Sequence, residues 1–214
     1  MNRNQRIIVF LLFLMLLISF FVYARMPATI ATHWGINGQA DGYSGKTFGL
    51  FFLPLFSFLL YGLLAWLPNL DPKRKNIDLF RSSYEGFMIL FFLFFFYLHL
   101  LTIVWNLGMR VSFNQAFAPA IAALFYGMGF LIEKAKMNYF IGIRTPWTLA
   151  NEEVWDETHK KGGIAFKICG ILCLLGLVFP GYFIWIVLST TLIAASYTIV
   201  LSYFIYKRVM KKNN

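Results

Sequence analysis

Residues 168–206, ICGILCLLGLVFPGYFIWIVLSTTLIAASYTIVLSYFIY, run for 39 positions without a charged side chain. A helix rises about 1.5 Å per residue and needs about 20 apolar residues to cross a hydrocarbon layer, so this block is two spans long. Pro180-Gly181 lies near its middle, where proline removes a backbone donor and glycine accepts a turn. The block therefore reads as a hairpin of two helices, 164–179 and 182–206. Lys167 is placed to snorkel at the start of the shorter one.

Working outward, four more stretches have the same character: 7–24, 48–68, 87–107 and 113–132. The expected fold is an all-α polytopic membrane protein with six transmembrane helices. Composition agrees: 59% of the 214 residues are hydrophobic and only 13% charged, which excludes a soluble enzyme, a disordered tail and a disulfide scaffold. The first stretch follows Arg3 and Arg6 but lacks a small-x-small cleavage pattern around Tyr23 to Arg25, so it reads as a retained span rather than a signal peptide.

Basic residues fix the orientation, because Lys and Arg accumulate in cytoplasmic loops. Sixteen of the 19 fall on one side: Arg3, Arg6, Lys73, Arg74, Lys75, Arg81, Lys134, Lys136, Arg144, Lys160, Lys161, Lys167, Lys207, Arg208, Lys211 and Lys212. Only Arg25, Lys46 and Arg110 fall on the other. Both termini are thus expected in the cytoplasm. The net charge of +10 becomes a topology signal and an attraction to lipid heads rather than a sign of direct nucleic-acid binding. The chain divides into a two-span unit, 1–68, with an outer loop at 25–47, and a four-span unit, 69–214, with an inner loop at 133–163.

The outer loop contains MPATIATHWGINGQADGYSGK, 26–46, with glycines at 35, 38, 42 and 45. Such spacing lets the backbone turn tightly and leaves His33, Trp34, Asn37, Gly38, Asp41, Tyr43 and Lys46 at the membrane surface. Two readings fit: a cap anchored by interfacial aromatics, and a ligand or peptide site. His33 and Asp41 lack a third ligand at a recognisable spacing, so no metal site is expected.

The inner loop reads NYFIGIRTPWTLANEEVWDETHKKGG, 138–163. Asn151 suits the cap of a short helix whose first turns hold Glu152, Glu153 and Asp156, with Lys160 and Lys161 at its end and Gly162-Gly163 as its stop. Trp155 and His159, four apart, share a face. Arg144, Trp147, Trp155 and His159 form a recognition surface on one reading; on the other, the helix lies on the inner leaflet.

These two loops carry a resemblance. The NYFIGIRTPWTL start, with Asn138, Gly142, Arg144, Thr145, Pro146 and Trp147, followed by W-x-x-T-H at Trp155, Thr158 and His159, resembles the signature of the sporulation-delaying-toxin immunity (SdpI-like) family of bacterial membrane proteins. The outer H-W-G-x-N-G-x-x-D-G-Y with Lys46 resembles the domain of unknown function usually found ahead of it. Where that family often has a second proline shortly before His-Trp, this chain has Ala31. The resemblance implies a multi-pass protein of the bacterial cell membrane that gives immunity to a membrane-active peptide toxin. It also implies, in some members, an inner loop that docks a transcriptional repressor.

Within the spans, His99 is an ionisable group at mid-membrane, open to a functional or an interhelical role. With the hydroxyls of the last span, Ser189, Thr191, Ser196, Thr198 and Ser202, it supports a small-solute transporter as the alternative function. Ala116, Ala120, Ala123 and Gly127 form a small-residue face for close packing, and Cys169 and Cys173 read as packing residues. No nucleophile elbow, phosphate loop or dinucleotide fingerprint occurs, so neither catalysis nor a cofactor is expected.

Overall fold

The computed structural model describes residues 1–213. Helix α1 (Arg3–Val22) leads to a hairpin of β1 (Thr29–Trp34) and β2 (Ala40–Gly45), followed by α2 (Lys46–Trp66). Then come α3 (Arg74–Leu79), α4 (Arg81–Asn106), α5 (Phe113–Lys134), α6 (Pro146–Ala150), α7 (Glu152–Cys173) and α8 (Phe183–Asn213). Among the described residues the protein is all-α apart from that one antiparallel hairpin.

Five helices, α1, α2, α4, α5 and α8, are long and apolar enough to cross a membrane. The stretch read from the sequence as the fifth span, 164–179, is built differently. Gly162-Gly163 does not stop the inner helix, as the sequence suggested; α7 runs through both glycines to Cys173 and ends in a 3-10 turn, Leu174–Leu177. Because its first half is charged, α7 as a whole is not an apolar helix. Its second half nevertheless descends antiparallel beside α5. A Cβ on Gly163 would stand 2.6 Å from the Gly129 carbonyl oxygen, and one on Gly170 would stand 2.6 Å from that of Ala122. Further along, Gln115 donates to the Leu177 carbonyl at 3.0 Å. The glycines are therefore contact points at which two backbones approach, the use small residues have between membrane helices. On α5 the face pressed against α7 is Ala118, Ala122 and Gly129, all buried, rather than the expected stripe. Ala123 of that stripe is exposed, and Gly127 faces Leu90 of α4 instead.

Both termini lie at one end of the bundle. Asn2 donates to Glu85 at the start of α4, and Arg208 of α8 pairs with Glu157 of α7. Lys161 and Arg208 hold the Glu157 carboxyl below its usual range. Ile8, Leu12 and Met15 of α1 bury against Met88 and Phe92 of α4, in a core that also takes in Ile77, Leu131 and Trp155. Outward, α1 exposes Phe10, Phe13 and Phe20, α2 exposes Leu55 and Leu59, and α8 exposes Leu192, Ile193 and Phe204. Apolar cover of that extent suits lipid rather than water.

One polar node sits inside this bundle. Pro54 has no N–H to bond the Leu50 carbonyl one turn earlier, so that oxygen is free to accept from the Ser19 hydroxyl at 2.9 Å. The Ser19 oxygen in turn lies 2.9 Å from His99 Nε2. With its single proton shared between the Leu50 and Met15 carbonyls, Ser19 acts as acceptor and His99 as donor.

Candidate functional site

The outer loop folds because its ends are fixed and its tip is made of glycine. Gly35 and Gln39 close the turn at 2.8 Å, and Gly38 takes φ +71°, a conformation that costs a side-chain-bearing residue dearly. Gly38 also presses on Asn114, whose amide donates to the carbonyls of Ile36 at 3.0 Å and Pro180 at 2.9 Å. The first residues of α5 thus join the hairpin tip to the turn between α7 and α8. On the opposite flank, Asn106 at the end of α4 accepts from the Ala31 N–H at 2.8 Å and donates to its carbonyl at 2.9 Å. A proline at 31 would remove that donor, so alanine and the asparagine clamp fit one another.

On this frame the predicted residues divide. His33 and Asp41 meet at 2.5 Å with both side chains more than half exposed. Gly42 permits the approach, since a Cβ there would stand 2.8 Å from the His33 Cβ. Tyr43 is exposed, and Lys46 caps the Tyr23 carbonyl and lies over the Tyr23 ring. Trp34 turns inward: it stacks on Phe113 at 4.1 Å and meets Trp105 edge-on at 5.6 Å. Its indole N–H is buried without an acceptor among the described residues. Asn37 and Gly38 border a polar hollow of about 530 Å³ with Gln39, Tyr43, Arg110 and Ser112. No group of three or more metal-ligating side chains occurs among the described residues.

The inner loop is the reverse case. Asn138, fully buried, donates to the carbonyls of Lys136 and Ile141 and accepts from the N–H groups of Phe140 and Ile141. Asp71 accepts from Tyr139 N–H at 2.7 Å, and Asn76 donates to the Met137 carbonyl at 2.7 Å, which ties the α2–α3 connection to the loop. Thr145 and Thr148 cap α6 reciprocally, with Pro146 at its first position. The Thr145 hydroxyl also meets Ser202 of α8 at 3.0 Å.

Trp155 and His159 do share a face, and it points into the protein. The indole is fully buried and donates to the Ala135 carbonyl at 2.8 Å, while the imidazole stacks on it at 3.9 Å. His159 Nε2 accepts from the Ile143 N–H at 2.9 Å, so the proton sits on Nδ1, which donates to the Trp155 carbonyl at 2.8 Å. Burial pushes the imidazole pKa down to about 4, which keeps this neutral tautomer in place. Gly142, at φ +123°, passes against the ring where a side chain would collide. Thr158 is buried, its hydroxyl without a partner among the described residues. Between Asn138 and Thr148 the exposed residues are Tyr139, Arg144 and Pro146, with Trp147 partly so. Arg144 donates to the Tyr139 carbonyl at 2.6 Å, and Trp147 meets Tyr203 of α8. Sequence reasoning missed Asp71, Asn106 and Asn114: each is a polar residue near a span end, with no pattern to mark its distant partner.

Comparison with known proteins agrees with the two motifs. Residues 134–205 match the SdpI/YfhL protein family, and residues 10–58 match a domain of unknown function, DUF1648. The chain is 27% identical over 208 residues to the Immunity protein SdpI of Bacillus subtilis (strain 168), covering 97% of this chain and 98% of that protein. No solved structure matches. The chain is a multi-pass protein of the cell membrane, and two of its segments are similar to the SdpI/YfhL family and to the domain of unknown function that lies ahead of it.

Proposed function

We propose that this protein gives the cell that carries it immunity to a membrane-active peptide toxin. It meets the toxin at the outer hairpin and docks a cytoplasmic regulator at the exposed rim of the inner loop. The observation that carries the reading is likeness from end to end to a named immunity protein, with both loop motifs in the same order. The geometry supports a division of labour. His33, Asp41 and Tyr43 stand exposed on a clamped hairpin, where a peptide arriving from outside would first touch protein. Arg144, Pro146 and Trp147 form the rim inside, while Asn138, Gly142, Thr145, Trp155, Thr158 and His159 hold its shape. A regulator at that rim would be a transcriptional repressor. Binding of this kind needs no catalytic group and no cofactor.

A toxin-sensitive strain lacking its own immunity protein tests the reading: expression of this chain should restore growth in the presence of the cognate toxin. Equal killing with and without the chain would refute it. Orientation is checked separately by cysteine labelling in intact cells, where S44C should react with an impermeant maleimide and A150C should not.

A further inference from the structure

A polar hollow of about 530 Å³ lies between the hairpin tip and the connection from α4 to α5. Asn37, Gln39 and Tyr43 border it on the hairpin side, and Trp105, Arg110 and Ser112 on the other. Both walls are fixed. Asn114 holds the Ile36 carbonyl at 3.0 Å, and the Gln39 carbonyl closes the tip by accepting from the Gly35 N–H at 2.8 Å. Across the hollow, the Met109 N–H reaches back to the Val104 carbonyl at 3.2 Å, which folds the connection over the end of α4. The Arg110 guanidinium then lies 3.8 Å above the Trp105 ring. A guanidinium stacked on an indole keeps its in-plane N–H donors free and has given up much of its side-chain freedom beforehand.

The polar groups around the hollow have no task inside the protein. Among the described residues, no hydrogen bond uses the Arg110 guanidinium or the side-chain amides of Asn37 and Gln39, and the Ser112 hydroxyl leaves the start of α5 uncapped. The neighbouring asparagines behave otherwise: Asn106 and Asn114 use their amides on Ala31, Ile36 and Pro180. No counter-charge is at hand either, because Asp41, the one acidic residue of the outer connections, is bonded to His33. The hollow therefore holds one uncompensated positive charge beside amides that both donate and accept.

That chemistry selects among anions. One planar guanidinium matches one carboxylate through two parallel N–H···O bonds, and the peptide groups next to a C-terminal carboxylate are the complement of a side-chain amide. The border is mostly polar, which suits the end of a peptide better than a phospholipid with its acyl chains. We infer that the hollow captures the C-terminal carboxylate of a peptide arriving from outside: Arg110 grips the carboxylate, and the Asn37 and Gln39 amides pair with the last peptide groups. The inference rests on the proposed immunity function for the source of the peptide, while the site itself is tested without toxin.

The experiment is weak-affinity chromatography on the full chain, immobilised in phosphatidylcholine nanodiscs. The probes are a mixed-sequence pool of N-acetyl tetrapeptides as free acids and the same pool as C-terminal amides. The parent should retain the acids about ten- to hundredfold better, the range for a hydrogen-bonded charged group. R110Q should remove most of that preference, and R110K, which keeps the charge and loses the planar fork, should restore little of it. Elution volume and helical circular dichroism confirm that each variant is folded. Equal retention of acids and amides by the parent, or a folded R110Q or R110K that matches the parent, overturns the proposal. So does retention of phosphatidylglycerol over phosphatidylcholine that R110Q removes, since it assigns the hollow to a lipid phosphate. Acid preference in a chain that fails the protection assay would leave the site standing and strike the immunity reading; the reverse result would strike the site alone.

Discussion

The outer hairpin and the inner loop look alike as sequence, each a polar, glycine-containing stretch with tryptophan, histidine and acidic residues between apolar spans. Their structures are opposites. The outer loop is held from outside itself, by Asn106 and Asn114 on the neighbouring helices, and so its hydrogen-bonded pair His33–Asp41 is left in solvent. The inner loop is held largely from within: beside the ties to Asp71, Asn76 and Ser202, the side chains of Asn138, Thr145, Thr148, Trp155 and His159 use their polar atoms on the loop's own backbone and its flanks. A clamped loop can spend its side chains on a partner, whereas a self-satisfied one has already spent them on its shape. A motif residue is thus a contact candidate in one loop and a scaffold element in the other.

The largest effect that would test this contrast is Trp155→Ala. Removing a fully buried indole and its hydrogen bond should cost about 3–5 kcal/mol and abolish or sharply lower the thermal unfolding midpoint in detergent. An unchanged midpoint would show that the inner loop is not built around that ring.

Acidity gives the next effect. His159 titrates near 4 when folded and at its ordinary value of 6.5 when unfolded, so the unfolded chain takes up the proton first as pH falls. Stability is therefore intact above about pH 6.5 and declines between there and about pH 4, by about 3 kcal/mol in all. Unfolding midpoints at pH 7 and pH 4.5 should differ more for the parent than for His159→Gln, and equal differences would count against the buried neutral ring.

Asn114→Ala should cost about 1–3 kcal/mol, because it leaves two carbonyls, of Ile36 and Pro180, without their donor. Its local signature should be faster amide exchange in the hairpin tip and around the 180–182 turn, with the inner loop unaffected. The smallest stability effect belongs to Asp41→Asn, below about 1 kcal/mol because the pair is exposed. If the hairpin receives the toxin, that variant should still lower survival in the protection assay while its midpoint stays put. A variant that protects fully would place the contact elsewhere on the outer face.

Much of the architecture was legible in the chain. Five of the six expected spans, the turn at Pro180-Gly181, the common side of the termini and the Asn151 cap all follow from local composition and backbone chemistry, which neighbouring residues suffice to reveal. The Gly162-Gly163 stop was read wrongly for a reason of the same kind. Glycine ends a helix when nothing rewards its missing side chain, and here Ile143 and Thr198 pack against Gly162 and the α5 backbone against Gly163. The hairpin strands were hidden because glycine and polar residues give weak strand signals, and the pairing is stabilised by asparagines more than 70 residues away.

The sequence by itself determined that this is an all-α polytopic membrane protein with its basic residues gathered toward one side and two unusual loops, because hydrophobic length and charge placement act residue by residue against a bilayer. Only the tertiary structure decided which loop residues stand exposed and which hold the loop. It also decided that Pro54 hands a carbonyl to Ser19 and His99, and that the hairpin tip and Arg110 border one hollow. Those outcomes depend on distances between groups far apart in the chain, and a buried donor or acceptor takes whichever partner packing brings within about 3 Å.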